Sequence, residues 1–454
     1  MSLSYTSHLR QTFIIAYPVM LSQLGHILVS VADSVMVGQL GAVPLAAVSL
    51  SNGIFALVMM FGIGLSMAMT PLVAAADGDH NLKKGAFIFR NAMFINLCAG
   101  LLLCTFIIAG SPLLYYFDQP EAVVNLTVPY LRILALSLIP LLFFQSFKQY
   151  AEGLSFTRTA MFITIGANLL NVSLNYVLIY GKFGLPAMGL NGAGWSTLIS
   201  RMVMAVVMMW YVYRAPWFFQ QRLIPKLKTL HKRMIKRLLK IGVPLGLQYI
   251  FEVSAFSMAA ILMGWLGTKA LAAHQIALNL AAVSYMMATG IGAAATVRVG
   301  NQWGKNDIES LRKAGFAAFA MGIGLMSISA LIFITANYFL PSLYIDEPEV
   351  IDLAASLLII AAFFQLSDGV QAVGLGALRG LADVKIPTLI TLLAYWVVSL
   401  PLAYWLAFPM QLGPQGVWYG LLAGLTFAAV FLFSRFLWVS QKLKKAQAQT
   451  VAKV

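Results

Sequence analysis

Three carboxylates in this chain sit in strongly apolar surroundings with no lysine or arginine close by in the same stretch: Asp33, Glu252 and Asp368. A charged side chain near the centre of a bilayer costs several kcal/mol, so such a group points to a pathway for an ion or a polar substrate. Asp33 lies five residues before Gly38, Asn175 six before Gly181 and Thr197 five after Gly192. If those glycines end helices on one side of a membrane, all three side chains lie about 8–9 Å inside, at a rise of about 1.5 Å per residue. Asn171 is one turn from Asn175 on the same helix face. A carboxylate, two amides and a hydroxyl at one depth can cage a hard cation such as Na⁺ or orient a protonatable aspartate. The same amides and hydroxyl can also join helices structurally.

Glu252 and Asp368 form a second candidate pair. Glu252 lies 11 residues beyond Ile241 and Asp368 lies 11 before Arg379, which places both about 16 Å from the cytoplasmic ends of their helices. They can face each other near the midplane. Two carboxylates close together in a low dielectric do not both stay ionised unless they share a proton or a bound cation.

The elements that must position these groups follow from the hydropathy pattern. The chain has 454 residues, 60% of them hydrophobic and 10% charged, with a mean hydropathy of +0.84, which excludes an ordinary soluble domain. Twelve apolar stretches long enough to cross a ~30 Å hydrocarbon core fall near 13–37, 48–73, 88–108, 127–147, 160–180, 193–213, 241–266, 272–297, 314–334, 353–378, 388–408 and 418–439. No cleavable signal peptide is read at the start, so the first stretch counts as a span. Cys98 and Cys104 in the third span suggest packing rather than a disulfide or metal site.

The net charge of +15 follows topology. All lysines and arginines lie at the N-terminus or after even-numbered spans, except Arg132, Lys182 and Lys269 on the other side and Arg201 within a span. The positive-inside rule then places both termini of a multi-pass membrane protein in the cytoplasm. A nucleic-acid partner is not expected. Arg201 reads as a structural group against a carbonyl or headgroup, and His26 and His274 read as satisfied bundle residues. Methionines 59, 60, 67, 69, 258, 263, 286 and 287 read as packing, with an adaptable apolar binding surface as the other reading.

The chain repeats itself. A shift of 226 positions lays VMVGQLGAVPLAAVSL (Val35–Leu50) on ILMGWLGTKALAAHQI (Ile261–Ile276) and Pro18 on Pro244; later, Gly189 and Gly192 match Gly413 and Gly416. Each half holds six spans, so the halves share one orientation, and substrate sites in such duplicated proteins lie between the repeats. The expected organisation is an N-terminal six-helix lobe (1–213), a basic cytoplasmic linker (214–240), and a C-terminal six-helix lobe with a cytoplasmic tail (241–454). Pro18 and Pro244 lie in the spans carrying Asp33 and Glu252, where a kink can couple ion occupancy to helix shape. Asp33 and Glu252 are not symmetric copies, because Glu252 aligns with His26 and Asp33 with Ala259.

The strings VADSVMVGQLG, GIGAAATVRVGNQWG and FFQLSDGVQAVGLGALRGLAD, with the long segment around Glu252, resemble the multidrug and toxic compound extrusion (MATE) family, specifically its NorM-like branch. The resemblance covers essentially the whole chain. It implies an all-α polytopic membrane protein, with twelve transmembrane helices in two pseudo-symmetric six-helix lobes around a central cleft. The implied activity is cation-coupled antiport, with Na⁺ or H⁺ entering as amphipathic or cationic drugs leave, through alternating access. By motif, Glu252 and Asp368 match a C-lobe cation site, while Asp33, Asn171, Asn175 and Thr197 match an N-lobe polar cluster. Phe364 stands where some relatives carry tyrosine, so any hydroxyl contribution there is lost. The number of oxygens around the acids favours Na⁺ over H⁺. No cofactor is expected beyond the coupling ion, and a monomer in the lipid bilayer is expected. A lipid-linked oligosaccharide flippase or other metabolite exporter of the same superfamily is the alternative, although it would favour a basic cavity. An intramembrane enzyme is not supported, because no nucleophile-base pair is apparent.

Overall fold

The computed structural model describes residues 4–116, 119–215, 218 and 230–451. Among them no strand occurs, and twelve helices are long and apolar enough to cross a membrane. These are α1 (Tyr5–Gly38), α2 (Ala42–Gly78), α3 (Leu82–Tyr116), α4 (Glu121–Gly153), α5 (Thr157–Tyr180), α6 (Leu190–Arg214), α7 (Lys232–Trp265), α8 (Thr268–Gly304), α9 (Ile308–Thr335), α10 (Pro348–Gly380) and α11 (Lys385–Ala407), followed by α12 (Gly413–Val451). Helices are the required solution, because lipid offers backbone groups no partner. Several helices overshoot the apolar stretches that define them. Asp77 and Glu152 lie beyond the second and fourth apolar stretches yet sit in the last turns of α2 and α4, and Lys232–Lys240, read as linker, forms the first turns of α7. Hydropathy marks where lipid begins, whereas helical hydrogen bonding continues into the interface. Asp118, Arg222, Lys226, Lys228 and Lys453 lie outside the described residues.

The chain divides into two compact units, one from Leu21 to Gly246 and one from Leu247 onward that includes the start of α1 up to Met20. The internal repeat is visible in their turns. Gly41 before α2 and Gly267 before α8 both have φ of 119°, a backbone that side chains rarely adopt. Asn81 caps α3 by accepting from the Lys84 N–H at 3.0 Å, and its counterpart 226 positions on, Asp307, caps α9 by accepting from the Ser310 N–H at 2.9 Å. His80 and Asn306 precede these caps with positive φ of 51° and 57°. Asp307 is outside the span. Burial works to raise its carboxyl, but the hydrogen bonds from Ser310 prevail and hold it below the usual value.

In the second unit α10 is the central helix, packed by α8, α9 and α12. Small residues make the close α8–α10 crossing possible: a Cβ on Gly292 would lie 2.6 Å from the Ala372 carbonyl oxygen, and one on Gly380 2.8 Å from that of Thr296. Thr296 Oγ1 ties the same crossing by donating to the Gly376 carbonyl at 2.8 Å. Gly292→Ala should therefore destabilise the protein by about 1–3 kcal/mol through overpacking. Gly264, with nothing within 4 Å of an added Cβ, should tolerate alanine. Thermal melting of both variants in the same detergent checks this; equal melting temperatures would contradict the crossing.

Candidate polar sites within the helical bundle

The four polar residues expected to meet in the first unit do meet. Asn175, fully buried on α5, donates to Asp33 Oδ1 across to α1. Asn175 also donates to Asn171 Oδ1 at 3.4 Å. The Asn171 amide faces Ser196 Oγ at 3.5 Å and Thr197 Oγ1 at 3.4 Å on α6. Turned the other way, it donates to Asp33 Oδ1 at 3.1 Å and accepts from the Thr197 N–H at 3.3 Å, which satisfies both its ends. Ser196 was not anticipated from the sequence: its hydroxyl donates to Asn175 Oδ1 and is fully buried. The cluster therefore offers one carboxylate, two amides and two hydroxyls from three helices.

Arg201 and Tyr130 lie within electrostatic range of Asp33. Among the described residues Arg201 is held by side chains of two other helices. Its guanidinium donates to Ser137 Oγ at 2.6 Å, approaches Met59 Sδ at 3.6 Å, and sits 5.2 Å from the Phe55 ring centroid. Ser137 stands at the break between two segments of α4, Glu121–Leu136 and Leu138–Gly153. The charge is thus stabilised by protein dipoles and a π face, while Asp33 makes no ion pair among the described residues.

In the second unit Glu252 and Asp368 are both buried, at 5% and 3% exposure, and interact electrostatically. The Tyr285 hydroxyl donates to Glu252 Oε1 at 2.7 Å. Among the described residues Glu252 Oε2 is buried without a hydrogen-bond partner, which a bound cation or a shared proton would satisfy. Tyr395 lies in electrostatic range of both acids, and its hydroxyl accepts from Gln371 Nε2 at 2.8 Å. Tyr395 stands in a π-helical segment of α11, Leu393–Ser399, just before Pro401, which cannot donate a helical hydrogen bond. Phe364 packs against Phe256 and Trp418 at 6.4 and 5.7 Å. The hydroxyl at the acids comes instead from Tyr285, with Tyr395 in electrostatic range, neither visible in a reading confined to charged groups.

Other expectations need correction. Cys98 is exposed while Cys104 is buried, so only the latter packs inside. His274 Nδ1 accepts from Trp418 Nε1 at 3.1 Å, but its Nε2 is buried without a partner, so the residue is half satisfied. His26 is exposed on α1. Of the methionines, Met69 and Met263 are fully buried, whereas Met59, Met60, Met67, Met258, Met286 and Met287 are half-buried. No group of three or more His, Cys, Asp or Glu placed to hold a metal ion occurs among the described residues. The donor sets are all-oxygen pairs and clusters, which suit a hard monovalent cation or a proton.

Comparison with known proteins follows the repeat. The family model MatE matches twice, over residues 18–177 and 244–405, starting at Pro18 and at Pro244. The chain belongs to the MatE family. A probable multidrug resistance protein NorM from Agrobacterium fabrum is 35% identical over 98% of this chain and 97% of its own length. The multidrug resistance protein MdtK of Yersinia pseudotuberculosis is 34% identical over 96% and 97%. Among solved structures, a multidrug resistance MATE family transporter of the MOP superfamily in an outward-facing conformation covers 98% of this chain and 100% of its own, at TM-score 0.88 and 19% identity. The eukaryotic MATE transporter AtDTX14 covers 97% and 99% at TM-score 0.87 and 19% identity. This MatE protein is thus a multi-pass membrane transporter of the NorM type and not an enzyme.

Proposed function

We propose that the protein exports amphipathic or cationic drugs by antiport with Na⁺ or H⁺ in the bacterial inner membrane, as a monomer alternating between two accessibilities. The relatives' names as multidrug resistance proteins supply the substrate class. The observation that carries the coupling is the set of three carboxylates inside the spans: Asp33 bonded by Asn175, Glu252 bonded by Tyr285, and Asp368 buried within the field of Glu252, none in an ion pair among the described residues. Asp33 with Asn171, Asn175 and Thr197 is one ion or proton site, and Glu252 with Asp368 is the other. Antiport requires that cation and drug bind the two states differently. One positive charge moving down 100 mV supplies about 2.3 kcal/mol, enough for roughly fifty-fold accumulation of a neutral substrate.

A lipid-linked oligosaccharide flippase remains the contrasting reading, and substrate-stimulated cation flux in proteoliposomes separates the two. Drug-dependent Na⁺ or H⁺ uptake is expected; flux that no drug changes would contradict antiport. The orientation is tested apart. A cysteine at Lys83 or Lys305 should react with an impermeant thiol reagent only from the cytoplasmic side, and one at Glu347 only from outside. The reverse pattern would invert the topology.

A further inference from the structure

We propose that the cytoplasmic start of α7 is a binding site for the headgroup of an anionic phospholipid of the surrounding leaflet. The site is separate from the transport reading and does not depend on it. Residues 214–240 hold nine lysines and arginines and no aspartate or glutamate. Within them Lys232, Lys236 and Lys240 recur at i, i+4 and i+8, so their side chains stand on one face of α7, one turn apart. All three are exposed and none forms an ion pair among the described residues. Elsewhere on this protein's surface lysines do find acids: Lys269 reaches Glu347 and Glu349, Lys313 reaches Glu309, and Lys84 reaches Asp79.

Together with Ile235 and Leu239 the lysines make a shallow, open strip along this face of α7. Leu238 on the same turns is 2% exposed and anchors the opposite face in the first unit. The aliphatic stems of the three lysines continue the apolar surface of Ile235 and Leu239, and their ammonium ends extend beyond it, a combination that matches an anionic headgroup with the first carbons of an acyl chain. A soluble anion would use only the charges.

Position favours the lipid source. α7 is 34 residues long, or about 51 Å, against a ~30 Å hydrocarbon core and a ~40–45 Å bilayer with headgroups. With the apolar run starting at Ile241, Lys240 and Lys236 fall within about 8 Å of the core boundary, in the headgroup layer, and Lys232 about 14 Å beyond it. Basic groups at that level attract anionic lipid. Among the described residues no acid pairs with these lysines, and every charged residue of the preceding segment 214–231 is basic.

The test uses the full-length protein in a neutral detergent and a fluorescent phosphatidylglycerol probe, displaced by unlabelled lipid. Phosphatidylglycerol should displace the probe at a concentration at least tenfold below phosphatidylcholine, and 10 mM inorganic phosphate should leave it bound. The triple variant Lys232→Gln, Lys236→Gln, Lys240→Gln should bind about a hundredfold more weakly, roughly fivefold for each lysine. A variant with the same loss of charge on the α12 extension, Lys442→Gln, Lys444→Gln, Lys445→Gln, should stay within threefold of wild type. Arginine at 232, 236 and 240 should restore most of the binding, which separates charge from folding. Equal loss in both glutamine triples would mean diffuse surface attraction, and displacement by phosphate a small-anion site. Either result, or a first triple that binds like wild type, overturns the proposal.

Discussion

Asp33→Asn is expected to fold and insert normally and to lose coupled export, its drug accumulation ratio falling from roughly fifty-fold at 100 mV to about unity. The substitution keeps the volume of the side chain and leaves Asn175 and Asn171 within hydrogen-bonding reach. What disappears is the one charge and the one titratable group in the N-lobe cluster. Arg201 would then lose the field of Asp33, yet its contacts to Ser137 and Phe55 hold it in place. The check is export by the purified variant in proteoliposomes across a series of imposed gradients. Transport at the wild-type rate throughout would make Asp33 a structural residue.

Glu252→Gln or Asp368→Asn should weaken the cation dependence of transport by roughly a hundred- to a thousandfold. A carboxylate 4 Å from a cation contributes about 4 kcal/mol at an effective dielectric near 20, and every 1.4 kcal/mol is a factor of about ten. Tyr285→Phe removes only one neutral donor to Glu252 Oε1, about 1 kcal/mol, so a shift of roughly fivefold is expected. The half-saturating Na⁺ concentration for drug-stimulated flux orders the three. A larger effect from Tyr285→Phe than from either acid would move the ion away from the carboxylates.

The spans and the N-lobe cluster were legible in the sequence for physical reasons. A membrane helix must be apolar for about 20 residues, so Asp33, Asn171 and Asn175 stand out against their background, and a fixed rise per residue converts spacing into depth. The same reasoning brought Glu252 and Asp368 to one level, and the structure places them within each other's field. The rest was hidden by side chains that look ordinary in lipid. Ser196 precedes Thr197 and carries no charge, so nothing in its spacing marked it as the partner of Asn175. Tyr285 stands beside Met286 and Met287 and reads as packing, and its role at Glu252 depends on helix rotation, which hydropathy does not encode. The π-helical turn around Tyr395 is a matter of backbone register before Pro401 and has no compositional sign. The partners of Arg201, Ser137 and the Phe55 ring, come from two other helices, which spacing along one span does not reveal. The glycine repeat was the reverse case. Gly41 and Gly267 share φ of 119°, so a requirement of backbone geometry had left its mark in the residues.

The most direct test of cation-coupled antiport is drug export from proteoliposomes with membrane potential clamped and no pH gradient, driven only by an imposed Na⁺ gradient. A fluorescent cationic drug should move against the Na⁺ flux in the wild type, and Glu252→Gln or Asp368→Asn should abolish that movement. Export that ignores both an imposed Na⁺ gradient and, in a parallel run, an imposed H⁺ gradient would contradict the account. Export that ignores Na⁺ and follows H⁺ would keep antiport but reassign the coupling ion, with Asp33 as the protonated group.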